Sequence, residues 1–99
     1  MENIIFYGRK QEQELTLDYY MIEEDIGGDY IDMSSYGVRI EGTRLYPGGG
    51  KTVEMKQLNN IFYKYVDADI FIRKIMNSNV TPLILHEVVK EYIAENVMV

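Results

Sequence analysis

Cysteine is absent from the chain, so no disulfide framework, thiolate nucleophile or thiolate zinc ligand is available to it, in agreement with a reducing compartment. Histidine occurs once, as His86. A lone imidazole falls short of the protein ligand set that even a catalytic zinc uses, and no serine has a recognisable histidine and acid around it. His86, beside Glu87 in an apolar-periodic segment, is expected to take a surface or half-buried packing role. No apolar run approaches the roughly 20 residues that span a bilayer. Ile4 to Tyr7 lacks the basic flank and the length of a signal segment. A cytoplasmic protein without membrane association is therefore expected. Basic residues are missing from Gln11 to Asp32, a stretch that holds eight acids: Glu12, Glu14, Asp18, Glu23, Glu24, Asp25, Asp29 and Asp32. The net charge is −6. Proteins that bind nucleic acid neutralise phosphates with lysine and arginine, and this surface repels them. Direct DNA or RNA binding is disfavoured.

With 99 residues, 46% hydrophobic and 26% charged, the chain suits one α+β domain over residues 1–99 that hides roughly 60 to 70% of its unfolded surface without covalent staples. The first half has a period of two. Leu15, Leu17, Tyr19 and Met21 alternate with Thr16, Asp18, Tyr20 and Ile22, as in a strand with one face on a core. Tyr36, Val38 and Ile40 alternate with Gly37, Arg39 and Glu41 in the same way. Further strands are expected over Thr43 to Tyr46 and Lys51 to Gln57, around the turn signal Pro47-Gly48-Gly49-Gly50. Ile4 to Tyr7 suits a short edge strand, with the polar stretch Gly8 to Gln13 as its connection.

From Asp67 the period becomes helical. Ala68, Phe71, Ile72, Ile75 and Met76 share one face, Asp67 suits an N-cap, and Asn77-Ser78-Asn79 ends the segment. Thr81 and Pro82 then open a second helix, whose stripe is Leu85, Val88, Val89, Tyr92 and Ile93. Helices this short need an apolar partner surface. The expected architecture is thus an antiparallel meander of about four or five strands over about residues 3–57, with helices over about 67–78 and 82–96 packed on one face. Thr16, Asp18, Arg39, Glu41, Glu54 and Lys56 are expected on the face left in water.

Several motifs fail on their context. Gly50-Lys51-Thr52 resembles the end of a phosphate-binding loop, but the motif needs a further glycine where this chain has Leu45, and it must lead into a helix. Glu23, Glu24, Asp25, Asp29 and Asp32 surround Gly27-Gly28 without the ligand spacing of a calcium loop. A chain this short gives paired carboxylates little room for a sugar cleft. The helix pair carries the wrong charge for a major groove, with Lys90 against three glutamates in its second member. No cofactor is expected.

Nine tyrosines form the most unusual feature of the composition. Tyr19, Tyr36 and Tyr92 fall on inward positions and need only a partner for each hydroxyl. Tyr20 and Ile22 alternate onto the outer sheet face, Tyr46 is expected beside them, and Tyr30, Ile31 and Met33 occupy the long connection from Asp25 to Ser35. Either that connection folds back over its own sheet, or these six residues form an aromatic, acidic surface for a protein partner with a basic rim.

Tyr19-Tyr20-Met21-Ile22-Glu23-Glu24, then Tyr36-Gly37-Val38-Arg39-Ile40, then Asn79-Val80-Thr81-Pro82-Leu83 with Val88 and Tyr92, resemble a family of small clostridial-type proteins known as a domain of unknown function. The resemblance runs from about Leu15 to Ala94. It implies a Gram-positive cytoplasmic origin and no active site.

The function expected is a non-enzymatic interaction or regulatory domain. An acidic mimic that blocks a nucleic-acid-binding protein is the second reading, and a small-ligand protein or enzyme the third. Homo-oligomerisation is compatible with all three.

Overall fold

A computed structural model describes residues 2–96. Four strands, β1 (Glu2–Glu12), β2 (Leu15–Asp25), β3 (Ser34–Leu45) and β4 (Lys51–Phe62), precede helix α1 (Tyr65–Asn77), a 3-10 turn (Pro82–Ile84) and helix α2 (Leu85–Asn96). The strands lie in the order β1-β2-β3-β4 and each pairs antiparallel with the next. This is the α+β meander with a C-terminal helix pair, in its four-stranded form.

The strands are longer than their apolar alternation suggests. The stretch Gly8 to Glu12, expected as a connection, continues β1, because Glu12 still pairs with Leu15 across a two-residue turn at Gln13 and Glu14. Polar side chains suit this position, since β1 is an edge strand and Arg9 closes on cross-strand Asp18 at 2.7 Å. The register of β1 shifts between Phe6 and Gly8, a bulge that inserts Tyr7. Tyr7 packs against the core. Its hydroxyl donates to Asp69 of α1 at 2.6 Å, and Arg73 donates to the same carboxylate at 3.1 Å. The two segments expected around Glu41 and Thr43 are one strand, β3, whose ladder to β2 runs unbroken from Ser34 to Arg44.

The β3–β4 ladder breaks between Tyr36 and Val38, where Asn59 to Ile61 oppose Gly37 alone. A Cβ on Gly37 would overlap the Leu58 carbonyl oxygen and Asn59 Cα. Glycine is required there because the β4 backbone crosses directly over it. Asn60 takes a left-handed φ of 57°, and its side-chain oxygen accepts from the fully buried Ser35 hydroxyl.

The core lies between the sheet and the helices. Leu17, Tyr19 and Met21 of β2 and Val38 and Ile40 of β3 meet Ala68, Phe71, Ile72 and Ile75 of α1 and Leu85 and Val89 of α2. Each large side chain buried here contributes about 1.5 to 3 kcal/mol. Phe71 sits 5.4 Å from Phe62 and 4.8 Å from Tyr92, centroid to centroid, tying β4 and both helices together. Tyr19 is 0% exposed, and its hydroxyl donates to the Val80 carbonyl at 2.7 Å, fastening β2 to the connection between the helices. Burial pushes the Tyr19 phenol up to about 12.

Both helix starts differ from expectation. Helix α1 begins at Tyr65 rather than at Asp67, with Lys64 as an N-cap that makes no side-chain bond. Tertiary contact accounts for the extra residues, since the Tyr65 ring packs edge-on against Tyr36 at 5.9 Å. Thr81 makes no capping bond, and Pro82 opens a 3-10 turn, so the second α-helix starts at Leu85. Glu54 and Lys56 also change sides. The pairs Gly42↔Glu54 and Ile40↔Lys56 put them on the helix side of the sheet, and the pairs Thr43↔Val53 and Glu41↔Met55 put Val53 and Met55 on the open face.

Candidate functional site

The connection from β2 to β3 is a closed loop. The backbone amides of Ile26 and Gly27 both donate to the Met33 carbonyl, at 2.9 and 3.1 Å, and the Gly27 amide also reaches the Asp25 carboxylate at 3.0 Å. A Cβ on Gly27 would run into the Ile31 carbonyl, so glycine is needed for the chain to fold this tightly. These bonds close the base of the loop and leave Gly28 to Asp32 as its tip.

The tip does not lie back on the sheet. Tyr30 is 99% exposed, and Ile26, Ile31 and Met33 are exposed with it. Asp25, Asp29 and Asp32 surround them in water. Glu23 and Glu24 continue the acidic run into β2, where they pair with Asn3 and Glu2 of β1. Behind the loop, on the helix side, Glu23, Asp25, Asp32, Tyr36 and Tyr63 line an open cleft of about 500 Å³. Cation-attracting carboxylates and flat aromatic edges therefore share one end of the molecule.

Of the six residues expected to form one surface, this end gathers Tyr30, Ile31 and Met33. Tyr20 lies in the middle of the open sheet face, edge-on to Phe6 with ring centroids 5.5 Å apart and opposite Arg39. Burial raises its phenol pKa. Ile22 is on the same face but only 1% exposed. It sits between cross-strand Ile4 and Gly37, where the β4 backbone crosses over, and so offers no accessible surface. Tyr46 is exposed at the β3–β4 turn, its hydroxyl 3.4 Å from Thr52. That turn is at the opposite end of the strands, about 37 Å from the loop at about 3.4 Å per residue.

Ile26, Tyr63 and the open-face residues Ile4, Phe6, Val53 and Met55 were not among those six. Ile26 has a sequence signal, its place beside Tyr30 in the acidic stretch. The others depend on register and on the length of β1.

His86 is exposed on α2, with the Glu87 carboxylate 3.9 Å from its Nδ1. Among the described residues no three histidine or carboxylate groups converge as a metal site would require. No helix among them is long and apolar enough to cross a membrane.

A four-stranded antiparallel meander, covered by helices on one face and open on the other, defines a two-layer α+β fold. The chain belongs to the family of unknown function DUF6514, whose model matches residues 2–95. No match to the chain is found among curated proteins or among solved structures.

Proposed function

We propose that this chain is a non-enzymatic protein-binding module that engages its partner through the β2–β3 loop. Tyr30, Ile31 and Met33 supply the apolar centre of the contact, and Asp25, Asp29 and Asp32 supply its rim. The observation that carries this reading is Tyr30, 99% exposed at the tip of a loop closed by backbone hydrogen bonds. A closed base limits the ordering cost of binding, and tyrosine and methionine are enriched at recognition surfaces. The complementary partner has an apolar pocket ringed by lysine or arginine. A Gram-positive, clostridial-type origin and a cytoplasmic setting belong to the same proposal.

The acidic-mimic reading has the run of eight acids from Glu12 to Asp32 in its favour. The fold divides that run. Glu12 and Glu14 lie at the β1–β2 turn, Asp18 is held by Arg9, and only the remainder reaches the loop. The geometry therefore favours a localised contact over a long phosphate-like track.

The test is affinity purification from the native cell with the wild-type chain and with Tyr30→Ala/Met33→Ala. A partner recovered by the wild type is lost by the variant, its affinity falls with added salt, and the unfolding temperature of the variant is unchanged. A partner retained by the variant refutes the loop as the contact. A partner displaced by DNA from a nucleic-acid-binding protein supports mimicry instead.

A further inference from the structure

Among the described residues, nothing lies over the sheet face turned away from the helices except where β4 crosses Gly37. Its rows follow from the pairing: Phe6, Tyr20, Arg39 and Gln57 form one, and Arg9, Asp18, Glu41 and Met55 the next. Phe6 is 56% and Met55 54% exposed, and Ile4 and Val53 are exposed beside them.

The charges between these apolar groups are already matched. Arg9 holds Asp18 through two hydrogen bonds, of 2.7 and 3.1 Å. Arg39 donates to Gln57 at 2.7 Å and to Glu41 at 3.4 Å. The middle of this face is thus neutral on a chain whose net charge is −6. A basic partner gains little here, and a second acidic copy meets no net repulsion at the centre of contact.

We infer that this face packs against the same face of a second copy, giving a symmetric two-layer β-sandwich with the helices outermost. The size fits. Four strands at about 4.8 Å spacing and eleven residues at about 3.4 Å cover about 700 Å², close to the roughly 800 Å² per partner of a standard stable interface. The charge pattern also complements itself. A two-fold axis that crosses the strands between the two central rows sets Arg39 of each copy over Glu41 of the other, and Tyr20 over Asp18. The β2–β3 loop stays clear at the end of the sandwich, so dimerisation and loop binding are independent.

Sedimentation equilibrium of the full chain up to about 100 μM tests this by mass action. The expected mass is twice the 11.6 kDa of the chain. Phe6→Lys and Met55→Lys, on opposite edge strands, each weaken the dimer at least about tenfold by burying an unmatched charge, with the circular dichroism of the folded chain retained. If one variant fails to fold, the other carries the test. Tyr30→Ala leaves the dimer intact and so separates this inference from the loop reading. A wild-type chain that stays at 11.6 kDa throughout, as expected if a different protein covers the face, overturns the inference. So does a dimer indifferent to the folded lysine variants.

Discussion

Replacing Tyr19 with phenylalanine removes one oxygen from the middle of the core and leaves the ring where it is. The hydroxyl donates to the Val80 carbonyl at 2.7 Å, and Tyr19 is 0% and Val80 5% exposed. Water has little access to that carbonyl once the hydroxyl is gone. Leaving a buried acceptor without its donor costs about 1 to 3 kcal/mol. A chain of this size loses about 4 to 8 °C in unfolding temperature for each kcal/mol. The effect also has a pH signature. The phenol is raised from 10.0 to about 12, so the folded state keeps it neutral where the unfolded chain ionises it. That contribution is fully present below pH 10 and disappears as pH rises to about 12. At about 1.4 kcal/mol per pKa unit, the loss is on the order of 3 kcal/mol. Urea unfolding of the wild type and of Tyr19→Phe, at neutral pH and at steps above pH 10, reads both effects. The variant starts lower and declines less with alkali. A loss under about 0.5 kcal/mol at neutral pH with an unchanged denaturant slope would falsify the reading that this bond satisfies the buried Val80 carbonyl.

Gly37→Ala forces a methyl group into the Leu58 and Asn59 backbone, so urea unfolding is expected to show a loss of a few kcal/mol; near-neutral behaviour refutes the crossing of β4 over Gly37. The hydrogen bond from Tyr7, and then that from Arg73, hold the Asp69 carboxyl below its ordinary value of 3.8. Its stabilisation is therefore present above that value and is lost as pH falls through the depressed one. Thermal unfolding from about pH 5 down to pH 2 should show a shallower acid decline in Asp69→Asn than in the wild type. Tyr30→Ala is expected to change stability by under about 0.5 kcal/mol, because an exposed side chain without core contacts contributes little; a larger loss measured in urea would place the ring against the body of the protein.

Much of the fold was legible because each element carries one period. Leu17, Tyr19 and Met21 against Thr16, Asp18 and Tyr20 mark β2, and Ala68, Phe71, Ile72 and Ile75 mark α1. The misplacements arise where a neighbour, rather than local pattern, decides. Val53 and Met55 alternate with Glu54 and Lys56, and on hydropathy alone the apolar pair belongs inside. The β4 register to β3 instead points Leu58, and with it every even-numbered residue back to Thr52, toward the helices. Ile22 shares the parity of Tyr20, which told its side of the sheet, but its burial comes from the β4 crossing that Gly37 permits. Tyr46 is expected beside Tyr20 and Ile22 on the outer face, but β3 is a single long strand, Ser34–Leu45, and it carries Tyr46 to the turn at the end remote from the β2–β3 loop. The apolar cluster at the loop was visible as residues without a core partner; that they point outward rather than back over the sheet is a matter of tertiary placement, seen in the exposure of Tyr30, Ile31 and Met33.

The inserted residue at Tyr7 also bears on colloidal behaviour. An outermost strand that runs Ile4, Ile5, Phe6 without interruption would be a ready template for further chains to add on, ladder to ladder. Swinging Tyr7 inward to Asp69 breaks the spacing of free amides and carbonyls at that point, and Arg9 and Lys10 follow immediately with positive charge. A kink and adjacent charge of this kind are features that blunt an edge strand against sideways pairing.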